Sequence, residues 1–334
     1  MRHPSPAVSI PPAQTPNPLT KYNRNLILTL TLNPAIDQNI SADQLVFDDR
    51  AYILDTFESA GGRGINASRV IHSFGGKTLA IAFSGGDSGT HFEFLMKNYG
   101  FPAEFVPMKN AIRHNLAITD KQGLSVKLNE RGPELQPAEV KAIEKAVVQR
   151  LPKAKWLMLC GSLPPGVPTH FYSQLIEAAR QQGVHTLLDT DSDPLTLSIE
   201  AGPTVVTPNQ SEAERLLSRA LLTRSHFVDA AQRIREMGAE NVVLSLGARG
   251  AVGCSPDQVI EAIPPRVDAV CPIGAGDAMA AAFTWAMTKG KPFAEALRWG
   301  VAAGTASAML PGISYPTLEQ TRDIYKRVQM KPVA

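Results

Sequence analysis

The chain has 334 residues, and its 33 basic and 31 acidic side chains leave a net charge of +2 without any Lys/Arg cluster that would indicate nucleic-acid binding. A hydrophobic content of 44% is typical of a globular protein, and no uncharged apolar stretch approaches the roughly 20 residues that span a bilayer, so we expect no membrane partner. Three widely spaced cysteines, Cys160, Cys254 and Cys271, form no metal-binding motif and indicate reduced thiols in a cytoplasmic protein.

The first 24 residues contain six prolines and no apolar core between them. Neither a helix nor a secretory signal can be built from such a segment, so we predict a disordered N-terminal extension over residues 1–24. The folded domain is then expected to occupy residues 25–330.

From Leu26 onward, short apolar runs alternate with segments of helical period. Runs that are apolar throughout are typical of strands buried on both faces. Their alternation with helices predicts an α/β fold of three layers, in which helices cover both sides of a mostly parallel central sheet. The predicted strands are Leu26–Leu32, Thr78–Phe83, Trp156–Cys160, Thr186–Asp189, Thr204–Val206 and Val242–Leu246, and the predicted helices are Pro137–Arg150, Thr169–Gln182, Ser211–Ser218 and Phe227–Met237.

Two segments, about 38–60 and 112–130, do not fit this alternation. Their clearest parts, Asp43–Phe57 and Arg113–Asn129, alternate polar with apolar residues, as strands with one solvated face do. We predict that they pair into a small β-sheet that forms a lid over the main sheet. In this lid the guanidinium of Arg113 is well placed to grip a substrate phosphate through two hydrogen bonds. The alternative is a solvated surface arginine.

The stretch Ile273–Met279 reads Ile-Gly-Ala-Gly-Asp-Ala-Met and opens a run of small apolar residues. Its glycines let the backbone turn and aim the free amides of Gly274, Ala275 and Gly276 at one point, where the helix dipole favours an anion. Asp277 in the same turn would repel a bound phosphate unless it meets a hydroxyl beside it. An aspartate that accepts the proton of an attacking alcohol fits phosphoryl transfer. The plainer alternative is a helix cap.

Further polar residues follow predicted strands at one carboxyl edge, where ligands of open α/β sheets bind. Asn209 and Glu212, three residues apart at a helix start, carry oxygens that can order water around Mg²⁺, although a capping box explains them equally simply. Asp189 ends another strand. Ser245–Gly250 is a glycine turn after the last predicted strand, and Asp37 is predicted to end the first one.

Two glycine motifs suggest other nucleotide-binding classes. Gly62 to Ala67 matches the dinucleotide pattern G-x-G-x-x-G/A, so a nicotinamide oxidoreductase is an alternative. That fingerprint requires a buried parallel strand directly before it, whereas Tyr52–Ser59 carries Asp, Thr, Glu and Ser. Gly75-Gly76-Lys77-Thr78 is half a P-loop, but position 71 is Ile where that motif requires Gly. We therefore prefer phosphoryl transfer to hydride transfer.

Six motifs, in order along about Leu26–Tyr325, resemble those of the phosphofructokinase B family of ribokinase-like carbohydrate kinases. They are Asn33–Asp37, Gly61–Asn66, Gly161–Gly166, Pro208–Glu212, Ser245–Gly247 and Gly274–Asp277. Within the family the chain is most similar to the sugar-phosphate branch, which comprises the minor bacterial 6-phosphofructokinase, 1-phosphofructokinase and tagatose-6-phosphate kinase. The resemblance implies a ribokinase-like fold and a kinase that uses ATP and Mg²⁺. We expect it to convert fructose 6-phosphate to fructose 1,6-bisphosphate, with the other two activities as alternatives.

The resemblance also implies residue roles. Asp277 would be the catalytic base, and the amides of Gly274, Ala275 and Gly276 the anion hole. The residues expected to hold the sugar phosphate are Asp37, Gly62 and Asn66, at its hydroxyls, and Arg113 and Arg50, at its phosphate. The residues expected along ATP are Asn209, Ser245, Gly247 and Gly250, and those expected around Mg²⁺ and its waters are Asn209, Glu212 and Asp189.

The chain departs from the family pattern at two places. Thr207 stands where relatives usually carry Lys, which removes a cation near the nucleotide phosphates, and Cys271-Pro272-Ile273 replaces the Thr or Ser residues of a monovalent-cation site. These changes keep a third hypothesis open, a sugar-phosphate-binding regulator without turnover. Because relatives pair through their lid sheets, we also expect a homodimer formed through the lid.

Overall fold

The computed structural model describes residues 25–312 and 314–333, so the predicted N-terminal extension lies outside the described residues. Two sheets organise the described chain. A central sheet of ten strands carries helices on both faces, and a separate sheet of four strands contributes the second wall of a pocket at the carboxyl edge of the first.

The central sheet contains parallel strands from one edge to its middle and three antiparallel strands at the other edge. All six predicted strands are present, while the strand at 103–107 and the three antiparallel strands were not predicted. The spatial order is β5 (Ala103–Pro107), β4 (Lys77–Ser84), β1 (Leu26–Thr31), β8 (Ala154–Cys160), β9 (His185–Asp189), β10 (Val205–Val206), β11 (Asn241–Ser245), β12 (Ala251–Cys254), β13 (Val259–Ile263) and β14 (Gln329–Pro332).

Apart from the edge strand β5, the parallel strands are largely buried on both faces, which is why they are mostly apolar. In β1 and β8 nearly every side chain is buried, including the large side chain of Trp156. The threonines among them are paired, since the Oγ1 of Thr29 lies 2.8 Å from the Oγ of Ser68. A continuous apolar run therefore predicts this part of the sheet well.

The helices include all four that the sequence predicts, within three residues at each end. Their bounds are α1 (Arg63–Ser73), α2 (Gly86–Lys97), α3 (Pro137–Arg150), α4 (Phe171–Gln181), α5 (Ser192–Ile199), α6 (Gln210–Leu216), α7 (Arg224–Glu236), α8 (Ala275–Thr288), α9 (Phe293–Ala308) and α10 (Leu318–Tyr325). None of the helices among residues 25–312 and 314–333 is long and apolar enough to cross a membrane.

Helix α9 packs closely against α8, and small residues make the approach possible. A Cβ added at Gly304 would lie 2.9 Å from the carbonyl oxygen of Ala275, and one at Gly300 would lie 3.0 Å from that of Met279. Because these contacts are closer than side chains normally allow, the glycines of α9 position the first turn of α8 against the core.

The smaller sheet is the predicted lid, but its strands begin and end elsewhere than expected. Its order is β3 (Ile53–Gly61), β2 (Ala35–Ala42), β6 (Arg113–Asp120) and β7 (Ser125–Asn129). Residues 43–52, predicted as strand, form none. Asp43 explains the error, because its Oδ1 accepts from the amides of Gln44 and Tyr52 and closes a polar loop whose alternation imitates a strand.

Asp37 also lies elsewhere than predicted. The first strand ends at Thr31, and the chain passes Pro34 before Asp37 becomes the third residue of β2. There Asp37 pairs with Ser59 of β3 and with Asn115 of β6. The prediction that Asp37 ends the first strand of the main sheet is therefore wrong, because Pro34 separates two strands that belong to different sheets.

Candidate active site

The first turn of α8 forms a cradle of free backbone amides. Gly274 precedes the helix in the left-handed conformation with φ of 79°, and a Cβ there would lie 2.7 Å from the hydroxyl of Tyr315. Both constraints require glycine. The amide of Ala275 donates to Pro272 over 3.3 Å, whereas within residues 25–312 and 314–333 the amides of Gly274 and Gly276 have no hydrogen-bond acceptor. An anion is the partner that such a turn suits.

Asp277 lies in the same turn and faces the cavity. Its Oδ2 accepts a 2.8 Å hydrogen bond from the Nδ2 of Asn66. Burial raises the pKa of Asp277 to about 7, with a further rise from the charge of Asp189, against the lowering effects of Arg63 and Asn66. A carboxylate with this pKa is able to accept a proton near neutral pH, as a general base must.

A pocket of about 370 Å³ separates the main sheet from the lid. It brings together six of the predicted site residues: Asp37, Gly62, Asn66, Arg113, Gly274 and Asp277. Asn66 and Asp277 are 211 positions apart in the chain and yet share a hydrogen bond. The structure thus brings these motifs to one pocket, and Asp37 and Arg113 reach it from the lid.

The pocket wall carries buried polar atoms without a hydrogen-bond partner in the described chain. Three are carboxamide oxygens, Oδ1 of Asn33, Asn66 and Asn115, and the fourth is the Nε of Arg113. Leaving such atoms unpaired costs roughly 1–3 kcal/mol each, so they are suited to a ligand. Oxygens that accept hydrogen bonds match the hydroxyl groups of a sugar, and Nε–H matches an anion.

Asp37 is held in place by its neighbours. Its Oδ1 accepts a 2.8 Å hydrogen bond from the Nδ2 of Asn115, and its carboxylate lies so close to the backbone of Gly61 that any Cβ there would collide with it. Burial raises the pKa of Asp37, against the lowering effects of the Asn115 hydrogen bond and of Arg113. These contacts orient one carboxylate at the lid wall for a ligand hydroxyl.

Arg113 is more constrained than the sequence suggested. Its Nη1 donates to the carbonyl of Glu130 at 2.7 Å and its Nη2 to that of Asn33 at 3.2 Å. Burial lowers its pKa, which the nearby Asp37 opposes. The guanidinium is therefore tethered to the lid, and Nε–H with the remaining terminal hydrogens is the edge that can contact a phosphate.

Two further cations of the pocket were missed by sequence reasoning. Lys127 of β7 lies beside Ala117 in the lid register, lines the pocket and has no acidic partner in the described chain. The small side chain of Ala117 leaves room for it. Arg63 lies in the glycine motif at a position that the motif leaves free. The signal for Lys127 was a basic residue in an alternating lid strand, but the same pattern describes many solvated lysines.

Arg63 joins the residues that the sequence predicts around Mg²⁺. Its Nη1 lies 3.3 Å from Oδ1 of Asp189 and 3.9 Å from Oε1 of Glu212, and its Nη2 lies 3.2 Å from Oδ2 of Asp191. These carboxylates, with Asp189 contributing most and Asp277 next, raise the pKa of Arg63 further above its ordinary value. Burial raises the pKa of both Asp189 and Glu212.

The capping alternative for Asn209 and Glu212 is present in the structure. Oε2 of Glu212 accepts from the amide of Asn209, and Oδ1 of Asn209 accepts from the amide of Glu212, each at 2.9 Å. Oε1 of Glu212 takes no part in the cap and faces Nη1 of Arg63 at 3.9 Å. No three His, Cys, Asp or Glu residues of the described ranges form a metal cluster by themselves, but Mg²⁺ keeps several waters and bridges substrate phosphates. A carboxylate group with one guanidinium as counter-charge fits such an ion.

The remaining predicted residues lie outside the pocket. Ser245 ends β11 and forms a bridge with Asn209, while Gly247 and Gly250 belong to the turn that follows. They continue the same carboxyl edge, beyond Glu212. Arg50 is exposed in the loop between β2 and β3 and is not among the residues that line the pocket beside Asp277. The single chain therefore does not bring Arg50 to the sugar site.

The dinucleotide alternative loses its structural basis here. The strand before Gly62 is β3, an antiparallel lid strand whose first five residues are exposed. The Gly75–Gly76 turn leads into strand β4 and not into a helix. Neither motif has the buried strand, turn and helix that pyrophosphate binding requires.

The site combines a buried carboxylate with free amides at a helix N-terminus. Both face a pocket whose oxygens can accept hydrogen bonds from ligand hydroxyls. This arrangement suits the transfer of a phosphoryl group to an alcohol. The model of the pfkB family carbohydrate kinases matches residues 31–320, and the chain belongs to this family. The kinase predicted from the sequence is therefore confirmed at the level of the family.

Individual relatives agree with this assignment. The chain is 33% identical over 302 residues to the ATP-dependent 6-phosphofructokinase isozyme 2 of Escherichia coli, covering 90% of this chain and 97% of that relative. It is 28% identical to a 1-phosphofructokinase of Borreliella burgdorferi, covering 85% of this chain and 92% of the other.

Solved structures confirm the predicted fold. Escherichia coli phosphofructokinase-2 in complex with fructose-6-phosphate superposes with a TM-score of 0.84 at 33% identity, over 90% of this chain and 98% of the other. An Arabidopsis thaliana ribokinase complexed with ribose and ATP gives a TM-score of 0.73 at 19% identity, over 91% and 99% of the two chains. The second likeness supports the ribokinase-like fold alone.

Proposed function

We propose that this carbohydrate kinase transfers the γ-phosphoryl group of ATP to the 1-hydroxyl of fructose 6-phosphate and forms fructose 1,6-bisphosphate. The observation that carries the proposal is the arrangement of the pocket between α8 and the lid. A base and free amides lie at one wall, and two cations, the tethered Arg113 and Lys127, lie at the other. The relative named 6-phosphofructokinase isozyme 2 supports the same choice.

The proposed substrate places its two ends at opposite walls. The free hydroxyl contacts Asp277, which takes its proton, while the phosphate contacts Arg113 and Lys127 at the lid. Between them the unpaired Oδ1 atoms of Asn33, Asn66 and Asn115 accept from sugar hydroxyls. An unphosphorylated sugar leaves both lid cations without an acceptor, so a phosphorylated one should be preferred.

ATP is proposed to lie along the carboxyl edge from the α8 turn toward Ser245, Gly247 and Gly250. Its terminal phosphate then meets the amides of Gly274 and Gly276, where the negative charge that develops during transfer is stabilised. Asn209 with the carboxylates of Asp189 and Glu212 would hold Mg²⁺ through its waters. When bound, the metal neutralises phosphate charge.

The lid sheet is proposed to form a homodimer. Large apolar side chains are exposed on this sheet and its loops: Val46, Phe47, Tyr52, Ile53, Leu54, Phe57, Leu124, Val126 and Leu128. An apolar surface of this extent is typical of an interaction site. One relative, phosphofructokinase-2 of Escherichia coli, has a tetrameric inhibited form. The three cysteines are free, which agrees with a proposed location in the cytoplasm.

Product identification by ³¹P NMR, together with ADP release, tests the proposal. Purified protein with Mg-ATP is given fructose 6-phosphate, fructose 1-phosphate or tagatose 6-phosphate in parallel. We expect kcat/KM to be highest for fructose 6-phosphate, with fructose 1,6-bisphosphate as the product. A tenfold preference for either other sugar phosphate assigns the chain to that activity. Absence of ADP release with all three would favour the non-catalytic regulator.

A further inference from the structure

Arg63 occupies the centre of the acidic end of the site. It is the first residue of α1, and its side chain is 34% exposed, toward the pocket. Its two terminal nitrogens reach three carboxylates on three different elements, Asp189 at 3.3 Å, Asp191 at 3.2 Å and Glu212 at 3.9 Å. A planar guanidinium carries five N–H donors in a fixed fork and can bridge separate carboxylates in this way.

The charges at this end of the site do not balance. Asp189, Asp191, Glu212 and Asp277 all act electrostatically on Arg63. No other Lys or Arg within residues 25–312 and 314–333 forms an ion pair with any of them. Asp189 and Glu212 are 12% and 5% exposed, so water screens their repulsion poorly. The excess negative charge therefore favours binding of a second cation. The guanidinium of Arg63, however, already contacts the carboxylate oxygens that this cation would bind.

We propose that Arg63 is a resident counter-cation that holds Asp189, Asp191 and Glu212 together, so that it competes with a divalent metal ion for the same carboxylates. The inference rests on the proposed function for the identity of the metal. A free Mg²⁺ ion must displace the guanidinium from its partners. A nucleotide-bound Mg²⁺ ion arrives with phosphate oxygens, which offer the displaced guanidinium new acceptors.

The consequence is a coupling between metal and nucleotide. Competition lowers the affinity for free metal, and the phosphates relieve it, so each of the two ligands binds better when the other is present. In the absence of nucleotide, Arg63 keeps its ion pairs with the three carboxylates, and the metal site stays blocked. Thr207, whose hydroxyl points to the backbone carbonyl of Leu188, supplies no cation of its own to this edge.

Metal binding to the nucleotide-free protein tests the competition directly. Mn²⁺ replaces Mg²⁺ as the probe because its free concentration is read by electron paramagnetic resonance, after chelator treatment of the full chain. Wild type is compared with Arg63→Met, which keeps the length of the stem and removes the charge. Arg219→Met is the matched control, since it removes the same charge from an exposed pair with Asp229 outside the pocket.

We expect Arg63→Met to bind Mn²⁺ at least about tenfold more tightly than wild type, because a competing charge about 4 Å away is lost. Arg219→Met should stay within about twofold of wild type, because the exposed ion pair of Arg219 is with Asp229 and not with a carboxylate of the site. An unchanged or weaker Mn²⁺ affinity in Arg63→Met overturns the proposal, and a weaker one would mean that the guanidinium organises the metal ligands. Absence of Mn²⁺ binding in both forms overturns it as well.

Thermal unfolding supplies a second readout, the rise in Tm that Mg²⁺ causes, which a structural role alone would not change. Arg63→Met should unfold at lower temperature than wild type in chelator, and added Mg²⁺ should raise its Tm more than that of wild type. An equal Mg²⁺ shift in both proteins argues against competition. If Arg63→Met does not fold, Arg63→Lys decides, with an expected affinity gain of about two- to fivefold for Mn²⁺ and with no gain counting against the proposal.

These measurements use neither ATP nor a sugar. They separate the inference from the proposed kinase activity, which the product assay tests. Competition found in a protein without turnover would leave the role of Arg63 standing and remove the proposed reaction. Turnover found without competition would do the reverse.

Discussion

Replacing Asp277 by Asn tests the proposed base with little change in shape. The carboxamide oxygen can still accept the 2.8 Å hydrogen bond from Asn66, so the pocket should keep its form. A positioned general base contributes typically about 10² to 10⁴ in rate. We therefore expect kcat of Asp277→Asn to fall at least ~100-fold, while the dissociation constant for the sugar phosphate changes less than about threefold.

The pH dependence follows from the ionisation of the same group. The base acts in its ionised form, so the rate of the wild type should rise with pH and level off once Asp277 is deprotonated. Its pKa of about 7 in the metal-free protein sets the upper end of that rise, and the positive charge of a nearby metal shifts it downward. Asp277→Asn should lose this inflection from its residual rate.

Stability should change in the opposite direction to activity. The pKa of Asp277 is raised from 3.8 to about 7 on folding, so its contribution to stability is complete at pH below the unfolded value and is lost as pH rises through the folded one. A difference of about three units corresponds to about 4 kcal/mol as an upper bound. Metal-free Asp277→Asn should therefore be more stable than wild type at pH 8, and by a smaller margin at pH 5.

The exposed Asp268 provides the control. Asp268→Asn should leave kcat, the pH profile and the pH dependence of unfolding as in wild type. If folded Asp277→Asn keeps kcat within tenfold of wild type, or retains the pH inflection, Asp277 is a helix cap and the mechanism needs another base.

Three further substitutions probe the metal, the substrate phosphate and the lid. Glu212→Gln keeps a cap acceptor but removes a charge, so the Mg²⁺ concentration for half-maximal rate should rise; an unchanged value would reduce Glu212 to its capping role. Arg113→Ala should raise KM for the sugar phosphate by roughly 10² and Lys127→Met by roughly tenfold, with kcat retained, because charge-assisted contacts are lost; equal KM values in variant and wild type would remove that residue from the phosphate site. Leu54→Asp should convert a dimer to a monomer in light scattering, whereas Leu222→Asp, at a residue that is more exposed but lies outside the lid, should not; a dimer that survives Leu54→Asp would refute the lid interface.

Much of the site follows from the sequence because parallel strands share one carboxyl edge. Residues that follow such strands meet wherever they stand in the chain, which is how Asn209 comes to lie beside Ser245. Apolar runs identified the strands, since burial on both faces leaves no alternation. Glycine motifs then marked the turns. Asp277 could be singled out because a carboxylate beside an anion cradle needs a reason to be there.

The lid was harder to predict, because alternation is shared by half-exposed strands and by polar loops. Residues 43–52 form a loop tied by Asp43, although their pattern resembles that of β3. Asp37 was assigned to the wrong sheet for a related reason, since β1 ends at Thr31 and only three residues, the last of them Pro34, separate it from β2. Local pattern identifies a strand, but the sheet that it joins is decided by long-range pairing.

Arg63 shows where motif reasoning stops. In the pattern G-x-G-x-x-G/A its position is the free one, so the motif gives no reason to expect a function there. Its partners follow 126, 128 and 149 positions later, on elements whose approach depends on the whole sheet. Asp189, Glu212 and Asp277 each have an explanation of their own. The role of Arg63 becomes evident only when the charges of these carboxylates are considered together. The combined negative charge of these carboxylates requires a counter-charge, and this requirement makes Arg63 part of the acidic end of the site.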